Sequence, residues 1–159
     1  SLILVWKENL KIIRLMKDKN DLNSYRFSQV RSARNTEIAE DYTEMIADLT
    51  KETGEARVVD LADSFGVTSP TVNSIIRRLV REGLVESKPY RSIFLTKKGK
   101  DLAVFCKQRH DIVYKFLLSI GIKKDIAKND AEGIEHHVSP ETLEVFKKLT
   151  KKLEKEKLS

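Results

Sequence analysis

Residues 58–96, VVDLADSFGVTSPTVNSIIRRLVREGLVESKPYRSIFLT, decide the fold. Val58 to Phe65 reads as a short helix and Gly66 as the turn that ends it. Thr68 or Ser69 offers the hydroxyl that caps a following helix, with Pro70 in the first turn, where its missing N–H costs nothing. Val72, Ile75, Ile76 and Leu79 recur at helical spacing down to Gly83, so they form the buried side. Ser69, Thr71, Asn73, Ser74 and Arg77 are left to face outward. LVES, a KPYR turn and SIFLT then read as a two-stranded hairpin. Helix, glycine turn, capped helix and basic hairpin within about 40 residues is the order of a winged helix-turn-helix, whose second helix enters the major groove of DNA.

That arrangement assigns roles. Asn73 and Arg77 can pair bidentately with adenine and guanine edges, whereas Ser69, Thr71 and Ser74 suit phosphates. Arg78, Arg81 and the hairpin's Lys88 and Arg91 are candidates for the DNA backbone. The competing use of such a fold is contact with another protein.

Working outward, Ile38, Tyr42, Met45, Ile46 and Leu49 set a preceding helix over Thr36 to Thr53, stopped at Gly54. After the hairpin, Lys97 to Ile120 reads as a long helix closed by Gly121, with Leu102, Phe105, Cys106, Val113, Phe116 and Leu117 on its buried side. A short helix is expected after Asn129 or Asp130. Ser139 then caps a last helix with Pro140 at its first position and Leu143, Phe146, Leu149 and Leu153 as its stripe. The fold class is therefore mainly α, a winged helix-turn-helix followed by an all-helical domain. The divisions are a basic N-terminal arm over 1–35, the winged helix over 36–98 and the helical domain over 99–159.

At 159 residues and 40% hydrophobic content the chain can bury a core. A single cysteine, Cys106, allows no intramolecular disulfide, and no run combines a charged start, an apolar stretch and a small-residue cleavage site. The apolar run Leu2 to Trp6 is far short of the roughly 20 residues a membrane span needs. The expectation is a cytoplasmic protein with no membrane partner. The net charge of +6 is unevenly spread. Residues 1–34 hold eight Lys/Arg against three Asp/Glu, residues 68–100 eight against two, and the tail from Lys147 six against two. The remainder is acidic, eight against 17. Such segregation points to an anionic polymer bound in one place and a cation in another, although Lys-rich helix faces are often only solvated.

Three clusters could receive the cation. Asp41 and Glu44, three apart on the first helix, share a face. His110 lies at the border of the long helix's buried side. In DAEGIEHH, Glu132, Glu135 and His136 fall at i, i+3 and i+4 and project from one side, while His137 points away. Each cluster alone has an ordinary reading as solvated or core-edge side chains. Together, four carboxylates and two imidazoles make an oxygen-rich site that suits Mn(II), and with waters they can hold two ions.

The stretches AEDYTEMIADL, GEARVVDLADSFGVTSPTV, IFLTKKGK, the pair Arg109 and His110, and NDAEGIEHHVS together resemble the manganese-sensing branch of the diphtheria toxin repressor family, from about Arg26 to Leu149. The resemblance implies that Asp41, Glu44, His110, Glu132, Glu135 and His136 bind a pair of Mn(II) ions. It also implies a homodimer formed through the helices after the wing, so that 99–159 is a dimerisation and metal-sensing domain. Iron-sensing relatives use Met and Cys where Asp41 and Glu132 stand. The function expected is a Mn(II)-dependent repressor that binds double-stranded operator DNA and controls manganese uptake genes. It is expected to be neither an enzyme nor a binder of a small-molecule substrate. The alternatives are an Fe(II)-responsive regulator of the same family, a metal-independent winged-helix regulator and a binuclear metallohydrolase.

Overall fold

The computed structural model describes residues 19–87 and 92–157. Helix α1 (Lys19–Thr53) leads into α2 (Val58–Phe65) and α3 (Ser69–Arg81); strands β1 (Val85–Ser87) and β2 (Ile93–Leu95) follow. Then come α4 (Lys97–Ser119), α5 (Lys124–Ile134), a 3-10 turn (Glu135–His137) and α6 (Pro140–Lys157). Two compact units result, one of Glu37–Gln108 and the other of the described residues up to Thr36 together with those from Arg109 onward. No helix among the described residues is long and apolar enough to cross a membrane.

In the unit Glu37–Gln108, α2 ends on Gly66, whose φ of 62° is left-handed and costs glycine nothing. Its N–H donates to Asp63 O at 3.3 Å and that of Val67 to Ala62 O at 3.0 Å, so the last carbonyls of α2 are satisfied as the chain turns. Thr68 is the residue that caps α3, its hydroxyl accepting from the Thr71 N–H at 3.4 Å. Ile46, Leu61, Val72, Leu79, Val85 and Ile93 are fully buried where α1, α2, α3 and the hairpin meet. Each contributes about 1.5–3 kcal/mol by leaving water. The rings of Tyr42 and Phe65 stack at 4.3 Å and tie α1 to α2. In the hairpin Val85 faces Leu95 and Ser87 faces Ile93, antiparallel. Ala56, between α1 and α2, joins as a bridge when the Ile93 N–H donates to its carbonyl at 2.8 Å.

In the other unit Val113, Leu117, Ala127, Ala131 and Leu143 form the core, with Phe116 and Phe146 stacked at 4.0 Å between α4 and α6. The Ser139 hydroxyl caps α6, accepting from the Thr142 N–H at 3.2 Å.

Four details differ from expectation. Helix α1 already runs through Lys19–Asn35, well ahead of the start expected near Thr36. Lys19–Asn35 contains no Gly or Pro to stop it, but its large apolar residues Phe27 and Val30 are exposed and mark no buried stripe. Helix α5 begins at Lys124, not after Asn129 or Asp130, because it starts on an extended Lys123 that offers no side-chain cap. Phe105 is 42% exposed; α4 turns Ala103 and Cys106 inward in its place. Leu149 is 41% exposed while Thr150 is buried, its hydroxyl satisfied by donating to Phe146 O at 2.8 Å.

Candidate metal centre and DNA-reading face

On α3, Thr71, Asn73, Ser74 and Arg77 are exposed and Ser69 is half-buried. Arg81 is exposed as well. Arg78 is more restrained, with its Nε 3.4 Å from Glu82 Oε1 on the next turn. The Lys98 ammonium donates to Glu82 O at 2.8 Å and places a cation at the C-terminal end of α3, where the helix dipole favours one. Lys88 and Arg91 lie outside the described residues.

The acidic and imidazole residues divide between the two units. Asp41 and Glu44 stand on α1, both half-buried, beside the buried Tyr42 and Thr43. Burial pushes the Tyr42 hydroxyl above its usual pKa, so this phenol stays neutral beside the two carboxylates. The other candidates meet within one unit. His110 Nδ1 lies 3.2 Å from Glu135 Oε2 and 3.6 Å from Glu132 Oε1. His136 Nε2 lies 3.6 Å from Glu135 Oε1, so Glu135 stands between the two imidazoles. His137 is exposed. The local chain accounts for this placement. After Ile134 the helix tightens into the 3-10 turn, which carries Glu135 inward to 1% exposure, while Glu132, still on α5, keeps its side chain 63% exposed and reaches His110 from the solvent side.

Arg109 entered the sequence reading only through the family resemblance and was given no role of its own. It is 7% exposed, and its Nη2 lies 3.5 Å from His136 Nδ1, the ring nitrogen other than the one that meets Glu135. The signal was available: Cys106, Arg109 and Val113 are all buried at helical spacing on α4, and an arginine on such a stripe needs a polar partner.

Ligand atoms of His110, Glu132 and Glu135 all lie within 4.8 Å of one another. An ion that holds N and O ligands at about 2.1 Å separates any two of them by no more than about 4.2 Å, so a closure of under about 1 Å seats one. Oxygen and imidazole donors suit first-row divalent ions. A carboxylate as buried as Glu135 also requires compensating positive charge or donors. The residues fit a divalent cation.

Two family profiles cover most of the chain. Residues 35–93 match the N-terminal DNA binding domain of the iron dependent repressors, and residues 96–157 match their metal binding and dimerisation domain. The transcriptional regulator MntR of Escherichia coli O157:H7 is 46% identical over 142 residues, covering 89% of this chain and 90% of that protein. The chain belongs to the iron-dependent repressor family. Its counterpart in Escherichia coli O6:H1, also named transcriptional regulator MntR, is 50% identical over 126 residues, 79% of this chain and 81% of its own. Among solved structures, a manganese-dependent transcriptional repressor in complex with manganese matches with a TM-score of 0.63 and 27% identity, covering 70% of this chain. The chain spans about half of that structure's length, 52%.

As a member of the iron-dependent repressor family the chain is a DNA-binding transcriptional regulator with a metal-binding, dimerising half, and not an enzyme. Arg77, exposed on α3, is the side chain best suited there to read a guanine. Arg77→Ala should weaken binding to the preferred duplex by about 1–3 kcal/mol and relax selectivity at one base pair. Thermal unfolding and metal uptake should not change. A gel-shift titration at fixed salt checks this, and unaltered affinity would remove Arg77 from the interface.

Proposed function

We propose that this regulator is a manganese-responsive, cytoplasmic repressor that binds operator DNA as a homodimer when loaded with Mn(II) and controls manganese uptake genes. The observation that carries the proposal is the convergence of His110, Glu132 and Glu135, with His136 joined through Glu135, in the half of the chain that the family uses for metal. Asp41 and Glu44 enter as further ligands through the sequence resemblance alone, and with them the six side chains suffice for two ions. A bound divalent ion supplies the positive charge that lets these carboxylates stand together.

Several features support manganese over iron. The residues at positions 41 and 132 are hard oxygen donors, and no sulfur stands in the cluster. The relatives named MntR and the manganese-bound neighbour point the same way. For DNA control, Asp41 and Glu44 flank Tyr42 on the segment of α1 that stacks on α2, so any restraint on these carboxylates acts on the helix-turn-helix core itself. For the homodimer, α5 turns Ala127 and Ala131 inward and leaves Ile126 and Ile134 exposed on the surface of the dimerising half.

The test is a gel shift run with Mn(II), Fe(II) and Zn(II) in turn, on a duplex selected by the protein from a random pool. Mn(II) should promote the strongest binding, with Zn(II) binding the protein but activating poorly because affinity alone does not set the response. A stronger response to Fe(II) would reassign the sensor to iron.

A further inference from the structure

The segment Glu55–Arg57 carries no expected functional residue, yet it joins three elements. The Thr53 hydroxyl donates to Glu55 O at 2.8 Å at the end of α1. Ala56 bridges to Ile93 of β2. Arg57 is the residue preceding α2, its N–H donating to Asp60 Oδ2 at 3.1 Å. The Glu55 carboxylate ties these together from both oxygens: Oε2 accepts from the Ser92 hydroxyl, and Oε1 accepts from the Arg57 guanidinium. Ser92 is the residue that opens the returning arm of the hairpin, 37 positions away in sequence. This bond joins a side chain at the root of β2 to the segment between α1 and α2.

We propose that Glu55 is a positioning residue for DNA binding: its carboxylate sets the direction of the wing by holding Ser92 at the root of β2 and Arg57 at the start of α2. This rests on the reading of the hairpin as a DNA-contacting wing. A two-stranded hairpin with three residues per strand has little stiffness of its own. Val85 and Ile93 seat its root in the core and the Ala56 bridge holds the main chain at Ile93, while the Glu55 bond to Ser92 adds a polar side-chain restraint on the returning arm. The ordinary alternative is an exposed surface pair worth little. The two differ in sign. A bystander carboxylate near DNA repels phosphates, so its removal tightens binding; removal of a positioning carboxylate weakens it.

Fluorescence anisotropy of the full chain, loaded with Mn(II), on a duplex selected by the wild-type protein from a random pool decides between them. Glu55→Ala should weaken binding about tenfold and flatten the dependence of affinity on salt, because fewer phosphates are engaged. Ser92→Ala should weaken it similarly, and the double variant no further. Glu55→Gln keeps an acceptor for Ser92 without the charge and should restore wild-type affinity or exceed it. Thermal melts should stay near wild type for all of these. Binding by Glu55→Ala and Ser92→Ala that equals or exceeds wild type overturns the inference, and if Glu55→Ala fails to fold, Ser92→Ala decides alone. Failure of the wild type itself to bind any selected duplex would instead overturn the DNA-binding reading.

Discussion

Glu135→Ala should raise the Mn(II) concentration needed to occupy the protein by about 100-fold or more, the largest effect expected of any single change in the metal centre. Loss of a partner that only orients a metal ligand already costs about 10–100-fold, and Glu135 stands closer to the centre than that. Its Oε2 is 3.2 Å from His110 and its Oε1 3.6 Å from His136, so it reaches both imidazoles. Glu132 offers a weaker hold, 63% exposed and 3.6 Å from His110, and Glu132→Ala should cost less. Alanine at 135 also leaves a cavity, so the isosteric Glu135→Gln separates the causes. A carboxylate at 1% exposure carries a desolvation cost in the metal-free protein, which the amide lessens. Glu135→Gln should therefore leave the metal-free protein as stable as wild type or more so, while the stabilisation that Mn(II) confers on unfolding largely disappears. Calorimetric Mn(II) titration and thermal melts with and without the ion measure both. If Glu135→Gln retained wild-type metal affinity, the centre would lie elsewhere.

Gly99→Ala should destabilise the DNA-binding unit by about 2 kcal/mol, lowering its melting temperature by about 8–16 °C. A Cβ at this position would stand 2.1 Å from Leu84 O, 3.1 Å from Leu84 C and 3.1 Å from Leu95 Cδ2. The obstacle is main chain in a crowded corner. Leu84 O accepts from the Thr96 N–H at 3.1 Å, and the Thr96 hydroxyl both donates to Gly83 O at 2.7 Å and accepts from the Gly99 N–H at 3.1 Å as α4 begins. Displacing Leu84 thus disturbs the exit of α3, the root of the hairpin and the start of α4 together. Overpacking of this kind costs up to about 3 kcal/mol, and the better helix propensity of alanine returns about 1 kcal/mol. Gly133 is the control. It is also helical, but a Cβ there meets nothing within 4 Å, so Gly133→Ala should stabilise by up to about 1 kcal/mol. Parallel melts of the two variants check the pair, and a shift of the same sign in both would count against the close approach at Leu84.

The winged helix was legible because each of its devices is written locally: Gly66 at a left-handed turn, Thr68 as a cap, Pro70 just inside the helix, and Val72, Ile76 and Leu79 as one buried stripe. Helix ends without a marker were not legible. Lys123 caps α5 without a side-chain bond, and nothing between Lys19 and Asn35 distinguishes a helix that continues from an arm that does not. Amphipathic periodicity also misplaced Phe105 and Leu149, since a stripe read from apolar residues alone overlooks Thr150, which is buried with its hydroxyl bonded within its own helix. In the metal centre, E-x-x-E-H put Glu132, Glu135 and His136 near one another, but their unequal burial follows from the 3-10 turn, which no residue in the run announces. Arg109 and Glu55 were assigned no role because the partners of each are distant in sequence, 27 positions to His136 and 37 to Ser92.

Coupling between two sites on one protein is commonly about 1–3 kcal/mol, or about 5–150-fold, and it is reciprocal. The most direct measurement is the dissociation constant of the wild-type protein for a selected duplex, taken once in saturating Mn(II) and once in a chelator at the same ionic strength. Binding should be at least about fivefold tighter with Mn(II). Equal dissociation constants in the two conditions would contradict the claim that the metal centre governs DNA binding.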